Sequence, residues 1–181
     1  MRYNDVIFAG FGGQGVLLTG KILAWAGMVE GLHVTWFPSY GAEMRGGTAN
    51  CTVIISGDEI GSPVVDNTAA VVAFNQASAD KFAGRVNKGG LIILNSTMVK
   101  GDIDRPGVRV VKLPANDLAA GLGDIRVANM VMLGAYLRAT GAVSLKSIAK
   151  ALGEVLPARR KGLLPMNLAA LEKGYFAADN D

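Results

Sequence analysis

The apolar positions in the first half of the chain fall into short continuous runs, separated by glycine, proline and polar residues. Val6-Ile7-Phe8-Ala9 ends at Gly10 and reads, by its length and boundary, as a buried strand. Val16 to Val29 then carries Leu17, Leu18, Ile22, Leu23, Trp25, Ala26 and Val29, with no gap longer than a turn. That spacing predicts a largely buried helix, and Gly31 just beyond it predicts a left-handed cap. His33–Phe37 reads as a second strand stopped by Pro38. A loop over Ser39–Gly47 leads into Thr48–Ile55, rich in β-branched residues and so a third strand. Ala69–Phe74, Leu91–Asn95 and Val108–Leu113 are further strand-like runs. Gln76–Val86 between them reads as a helix and Asn87–Gly90 as a turn. From Pro114 the period becomes helical, over Asn116–Ala120, Asn129–Ala139, Leu145–Val155 and Leu163–Phe176. Pro165 falls in the first turn of the last piece, where proline is tolerated. Strands joined by helical crossovers predict an α/β fold: a mostly parallel, doubly wound, Rossmann-like sheet with a helical C-terminal third. Without internal repeat or linker, residues 1–181 read as one domain.

Composition narrows the function classes. Half of the 181 residues are apolar, 18% are charged, and 18 basic against 15 acidic side chains leave +3. That excludes a disordered, highly charged tail protein. Cys51 is the single cysteine, which excludes a disulfide framework. It also excludes an iron–sulfur or zinc site built from this chain alone, since each needs several thiolate or imidazole ligands. Cys51 itself is expected to be a small buried side chain without a reactive thiol. No apolar run nears the roughly 18 residues of a membrane span, and the start has no signal-peptide plan, so a cytoplasmic protein is expected. A sequence pI of 9.1 with so small a net charge gives little support to nucleic acid as a partner. The basic cluster Arg159-Arg160-Lys161, between Pro157 and Gly162, reads as a solvated turn or a subunit contact.

The sharpest local feature is Gly10-Phe11-Gly12-Gly13-Gln14-Gly15, which follows a strand and opens a helix. It matches G-x-G-x-x-G in its proper context. Amides at a helix start suit a phosphate or carboxylate. A dinucleotide site further needs an acid at the end of the second strand, and Phe37-Pro38-Ser39 stands there instead; Glu30 comes too early. A loop that binds another anionic group, or that packs on a neighbouring chain, is favoured, with a ligand-free structural turn as the plain alternative. The second loop, Ser39 to Thr48, is expected at the same sheet edge and carries Tyr40, Glu43 and Arg45. Arg45 could receive a carboxylate or phosphate, or pair locally with Glu43. No complete catalytic set is evident, and the one histidine, His33, reads as solvent-facing. So much core with so little reactive chemistry suggests a subunit.

Three segments carry a resemblance: Asp5–Val16, Pro38–Ala49 and Asn129–Ala135. In that order they resemble the gamma subunit of the 2-oxoacid:ferredoxin oxidoreductases, and most closely the short gamma chains of 2-oxoglutarate:ferredoxin oxidoreductase. The resemblance implies a complex of alpha, beta and gamma chains, often with a ferredoxin-like delta chain. Such a complex converts a 2-oxoacid and coenzyme A to acyl-CoA and carbon dioxide and passes electrons to ferredoxin. Thiamine diphosphate with magnesium, and the iron–sulfur clusters, are implied on the partner chains, and coenzyme A as a substrate. Gly12, Gly13, Gln14, Gly15, Tyr40, Glu43 and Arg45 match the motif loops and are carried over as ligand or interface positions, with no catalytic residue, metal, nucleic acid or membrane in the assignment. A free-standing NAD(P)-dependent oxidoreductase and a non-enzymatic binding module are the competing readings.

Overall fold

A computed structural model describes residues 2–40 and 47–178 of the chain. Within them, six strands form one sheet: β1 (Tyr3–Phe11), β2 (His33–Tyr40), β3 (Thr48–Ser56), β4 (Thr68–Ala73), β5 (Val86–Asn95) and β6 (Arg109–Leu113). Their order is β2-β3-β1-β4-β5-β6. β1 pairs in parallel with β4, β4 with β5, and β5 with β6, whereas β3 runs antiparallel to both β1 and β2. β3 is thus the one reversed strand of the six, and the sheet is mostly parallel, as expected.

The continuous apolar runs are explained by helices on both faces. In a strand, successive side chains point to opposite faces. Val6, Phe8, Ala70, Val72, Leu91 and Ile93 belong to one core, while Ile7, Ala9, Val71, Ala73, Ile92 and Leu94 belong to the other. Buried on both sides, such strands have no polar alternation to show. The larger core is closed by α1 (Val16–Val29), α3 (Ala115–Ala120), α4 (Ala128–Thr140), α5 (Leu145–Val155) and α6 (Leu164–Ala177). The smaller lies under α2 (Gln76–Phe82) and the chain around Val99.

Three boundaries differ from the sequence reading. β2 runs through Pro38 to Tyr40, with Pro38 opposite Cys51. β2 ends the sheet order, and an edge strand tolerates a missing backbone donor. α2 stops at Phe82 and tightens into a 3₁₀ turn over Ala83–Arg85. Asn87–Gly90 is not a free turn but an enlarged bulge inside β5: the register passes from Thr68–Val86 to Ala70–Leu91, so these residues stand against Ala69 alone. Gly89 has φ of 80° there, and its N–H donates to the Gly107 carbonyl at 2.6 Å. Gly31 is left-handed with φ of 73°, as its position after α1 predicts.

Glu30 closes the end of α1. Its carboxylate accepts from the Ser144 N–H at 2.7 Å and pairs with Arg2 at 2.9 Å, tying α1 to the start of α5. Burial works to raise its pKa, but these bonds outweigh it and the carboxyl sits below the ordinary value.

α4 and α6 cross with almost no side chain between them. A Cβ on Gly134 would run into the Leu171 carbonyl, and one on Gly174 into the Val131 carbonyl. These neighbours are backbone, so neither can swing aside. Gly174→Ala is expected to lose about 3 kcal/mol of stability and to lower Tm, whereas Gly153→Ala, in open space on α5, is expected to raise Tm slightly, alanine being the better helix former by up to about 1 kcal/mol. Thermal unfolding followed by circular dichroism checks both.

Candidate functional site

The carboxyl ends of β1 and β4 define the site. The chain leaves β1 into α1 on one face and leaves β4 into α2 on the other, the arrangement that opens a crevice in doubly wound sheets. Gly12 to Gly15 make the turn out of β1. Gly13 and Gly15 have φ of 102° and 77°, a region closed to most L-residues. Gly15 is the N-cap of α1 and has no side chain with which to cap it. Its carbonyl accepts from Thr19 N–H at 2.9 Å and Thr19 Oγ1 at 3.0 Å.

The described ends of the second loop, Tyr40 and Gly47, come to the same edge. β2 and β3 are neighbours in register, with Tyr40 opposite Ala49, and Phe11 faces Thr48 across the β1–β3 ladder. The Gly12 N–H donates to the Gly47 carbonyl at 2.9 Å. The two glycine-bearing segments are thus joined by a backbone bond. Between them lies a cleft of about 600 Å³, lined by Phe11 to Gly13, Gly15 to Leu18, Gly47 to Ala49, and Arg160.

Gln14 turns inward. Its Oε1 accepts from the Phe11 N–H at 2.7 Å and from Asn75 Nδ2 at 2.9 Å, and its Nε2 donates to the Phe74 carbonyl at 3.5 Å. Asn75 is buried and caps α2 through the Ser78 N–H at 2.9 Å. Asn95, also buried, donates to Asn116 Oδ1 at 3.0 Å and accepts from the Ala115 N–H at 3.2 Å. This amide network lines the crevice between β1, β4 and β5, where a smaller cavity of about 200 Å³ is bordered by Gly13, Gln14, Phe74, Asn116 and Arg126. Gln14 thus holds the turn in shape on that side and does not line the 600 Å³ cleft.

Of the residues singled out from sequence, Gly12, Gly13 and Gly15 line that cleft, and Gln14 stands behind it. Tyr40 ends β2, and its backbone reaches the edge. Glu43 and Arg45 lie outside the described residues. Two residues at or beside the cleft are not among those singled out: Asn129 is named only within the third motif segment, and Arg160 reads as part of a solvated turn or a subunit contact. Asn129 lies against Gly15: its Nδ2 is 3.5 Å from the Gly15 carbonyl and 3.3 Å from Thr19 Oγ1. A Cβ on Gly15 would stand 2.7 Å from that Nδ2. Its signal was its place at the head of the third motif segment. Arg160 belongs to a 3₁₀ segment, Ala158–Leu163, and linear distance from the glycine turn hid its arrival there.

The described residues do not fit a metal or an iron–sulfur cluster. No three of their His, Cys, Asp and Glu side chains gather in one place. Cys51 is fully buried under α1, and burial pushes its thiol up to about 12, with bonds from Trp36 and Gly20 pulling weakly the other way. A thiol so held is a poor ligand, because metals and clusters bind the thiolate. The dinucleotide reading loses further ground: β3 separates β2 from β1, so the end of β2 is not beside the turn as a ribose-binding strand must be.

Fold and site define a doubly wound α/β chain whose glycine turn faces a cleft and which, among its described residues, assembles no catalytic set of its own. The profile of the pyruvate ferredoxin/flavodoxin oxidoreductase family matches residues 5–177; the chain belongs to that family and is of its gamma-subunit type. It is 44% identical over 171 residues to ketoisovalerate oxidoreductase subunit VorA of Methanothermobacter thermautotrophicus, covering 93% of this chain and 35% of the relative. This chain thus spans about a third of the length of that relative. It is 35% identical to 2-oxoglutarate synthase subunit KorC of Methanocaldococcus jannaschii, covering 97% of this chain and 94% of that one. Among solved structures, the gamma subunit of a keto/oxoacid ferredoxin oxidoreductase from Geobacter sulfurreducens superposes with a TM-score of 0.84 at 29% identity, over 98% and 99% of the two chains. A 2-oxoglutarate:ferredoxin oxidoreductase from Magnetococcus marinus, with 2-oxoglutarate, coenzyme A and succinyl-CoA bound, gives a TM-score of 0.89 at 25% identity, over 99% of this chain and 31% of that one. The higher identity to the ketoisovalerate chain means that likeness does not single out 2-oxoglutarate.

Three outcomes test this geometry. Gly13→Ala meets only backbone strain, about 1–2 kcal/mol, because a Cβ there has open space. Gly15→Ala also collides with Asn129 and is expected to destabilise more; adding Asn129→Ala recovers part of the loss, read as a double-mutant cycle in urea. Cys51, with on the order of one thiolate in 10⁴ at pH 8, resists iodoacetamide in the folded chain and reacts in guanidinium, as mass spectrometry of timed samples would record.

Proposed function

We propose that this chain is the gamma subunit of a thiamine diphosphate-dependent, cytoplasmic 2-oxoacid:ferredoxin oxidoreductase, and that its glycine-turn cleft receives coenzyme A. The complex oxidatively decarboxylates a 2-oxoacid to acyl-CoA and carbon dioxide, two electrons passing to ferredoxin. Thiamine diphosphate and magnesium supply the carbanion chemistry, and iron–sulfur clusters the electron path, on alpha and beta chains and on a delta chain where present. This chain contributes assembly and substrate access.

The observation that carries the reading is the cleft itself, where the glycine turn and the first residues of α1 face the Gly47–Ala49 strand entry. Coenzyme A bears a diphosphate and a ribose phosphate, and such groups bind well at a helix start. The Arg45 side chain, on the second loop, is proposed as a further donor to them. Assembly is supported by another surface. Met28 and Val29 on α1, and Trp36 and Phe37 on edge strand β2, are exposed, Phe37 by 48%. An apolar edge strand of this kind suits cover by another chain. The 35% coverage of the ketoisovalerate relative is in keeping with a domain that works beside other sequence.

The substrate is proposed to be 2-oxoglutarate, and the 44% identity to a ketoisovalerate chain favours a branched 2-oxoacid as the second reading. Co-expression with thiamine diphosphate-binding and cysteine-rich partner chains, followed by dye reduction on a panel of 2-oxoacids, tests both. The expected result is coenzyme A-dependent reduction by the complex alone, with a raised KM for coenzyme A in Arg45→Ala. Turnover or nicotinamide binding by the isolated chain contradicts the proposal, as does a complex indifferent to coenzyme A.

A further inference from the structure

Among the described residues, Arg160 is the only charged one lining the glycine-turn cleft; the other lining residues are glycine, apolar or Thr48. It reaches the cleft from the 3₁₀ segment between α5 and α6. Local bonds close its turns: the Arg160 N–H donates to the Pro157 carbonyl at 2.7 Å, and Asn167 Nδ2 donates to the Leu163 carbonyl at 2.7 Å. Arg159, Arg160 and Lys161 are all exposed. The ion pairs among the described residues join Arg2 to Glu30, Lys112 to Asp102 and Arg126 to Asp124. None of them neutralises this cluster, so three adjacent cations, one of them in the cleft lining, face solvent without a described carboxylate partner. A cation in a cleft whose other described lining residues are neutral is complementary to a terminal phosphate, which carries close to two charges near neutral pH and three oxygens for a guanidinium fork.

Resting on the reading of the cleft as a coenzyme A site, we propose that Arg160 recognises the 3′-phosphate of coenzyme A and thereby selects it over the 3′-dephospho form. The turn amides serve the diphosphate, which both forms share; Arg160 serves the group that only one carries.

The test uses the reconstituted complex with saturating 2-oxoacid, and KM for coenzyme A and for dephospho-coenzyme A in wild type, Arg160→Ala and Arg160→Lys. The wild type is expected to favour coenzyme A about tenfold or more in KM. Arg160→Ala raises KM for coenzyme A about tenfold, leaves KM for the dephospho form within twofold, and keeps kcat, so the selectivity disappears; Arg160→Lys falls between. Gel filtration of each complex verifies assembly. A parallel rise in both KM values, or no change in either, overturns the assignment of Arg160 while leaving the cleft as a coenzyme A site. A wild-type complex that needs no coenzyme A overturns the cleft reading and this inference with it.

Discussion

Three glycines around the start of α1 sit where a side chain has no room: one near the end of β1, one at the N-cap and one a turn into the helix. A Cβ on Gly10 would stand 2.7 Å from both Gln14 Oε1 and Val16 Cγ2, one on Gly15 would meet Asn129, and one on Gly20 would meet the Cys51 sulfur. α1 is therefore held at once against β1, β3 and α4. That placement leaves the Gly12 N–H to reach the Gly47 carbonyl and the cleft to form between the two segments. The same close fit buries Cys51 and removes it from chemistry. Site and core are one packing problem, and glycine is the common solution.

The architecture was legible because its signals are local. Val16–Val29 and Leu145–Val155 fall where periodicity places them, and the glycine turn sits between strand and helix as its motif requires. What escaped was set by tertiary contact. Pro38 continues a strand because that strand lies at the sheet edge, which no local pattern announces. The bulge at Asn87–Gly90 carries turn residues but is paired into the sheet on both sides of them. The reversal of β3 follows from a hairpin whose partner was not evident from alternation, since both of its faces contribute to buried packing.

The candidate site was legible in part. Gly12, Gly13 and Gly15 line the cleft, whereas Gln14, read with them, belongs to the amide network beneath. Asn129 stood at the head of a motif without a role until its contact with Gly15 supplied one. Arg160 illustrates the limit most clearly. A basic triplet in a polar turn has the composition of ordinary solvated surface, and only the packing of the C-terminal helices beside α1 carries it to the glycine turn. Among the described residues, the cleft is lined by glycine, apolar residues, Thr48 and one cation, and the single thiol of the chain is buried and held protonated.

The central claim is that the cleft of this gamma-type chain receives coenzyme A inside a larger complex. Hydrogen–deuterium exchange on the assembled complex, with and without coenzyme A, tests it most directly. The account predicts slowed exchange, on adding coenzyme A, confined within this chain to peptides covering residues 12–18, 47–49 and 158–163. Protection restricted to the partner chains, with these peptides unchanged, would contradict it.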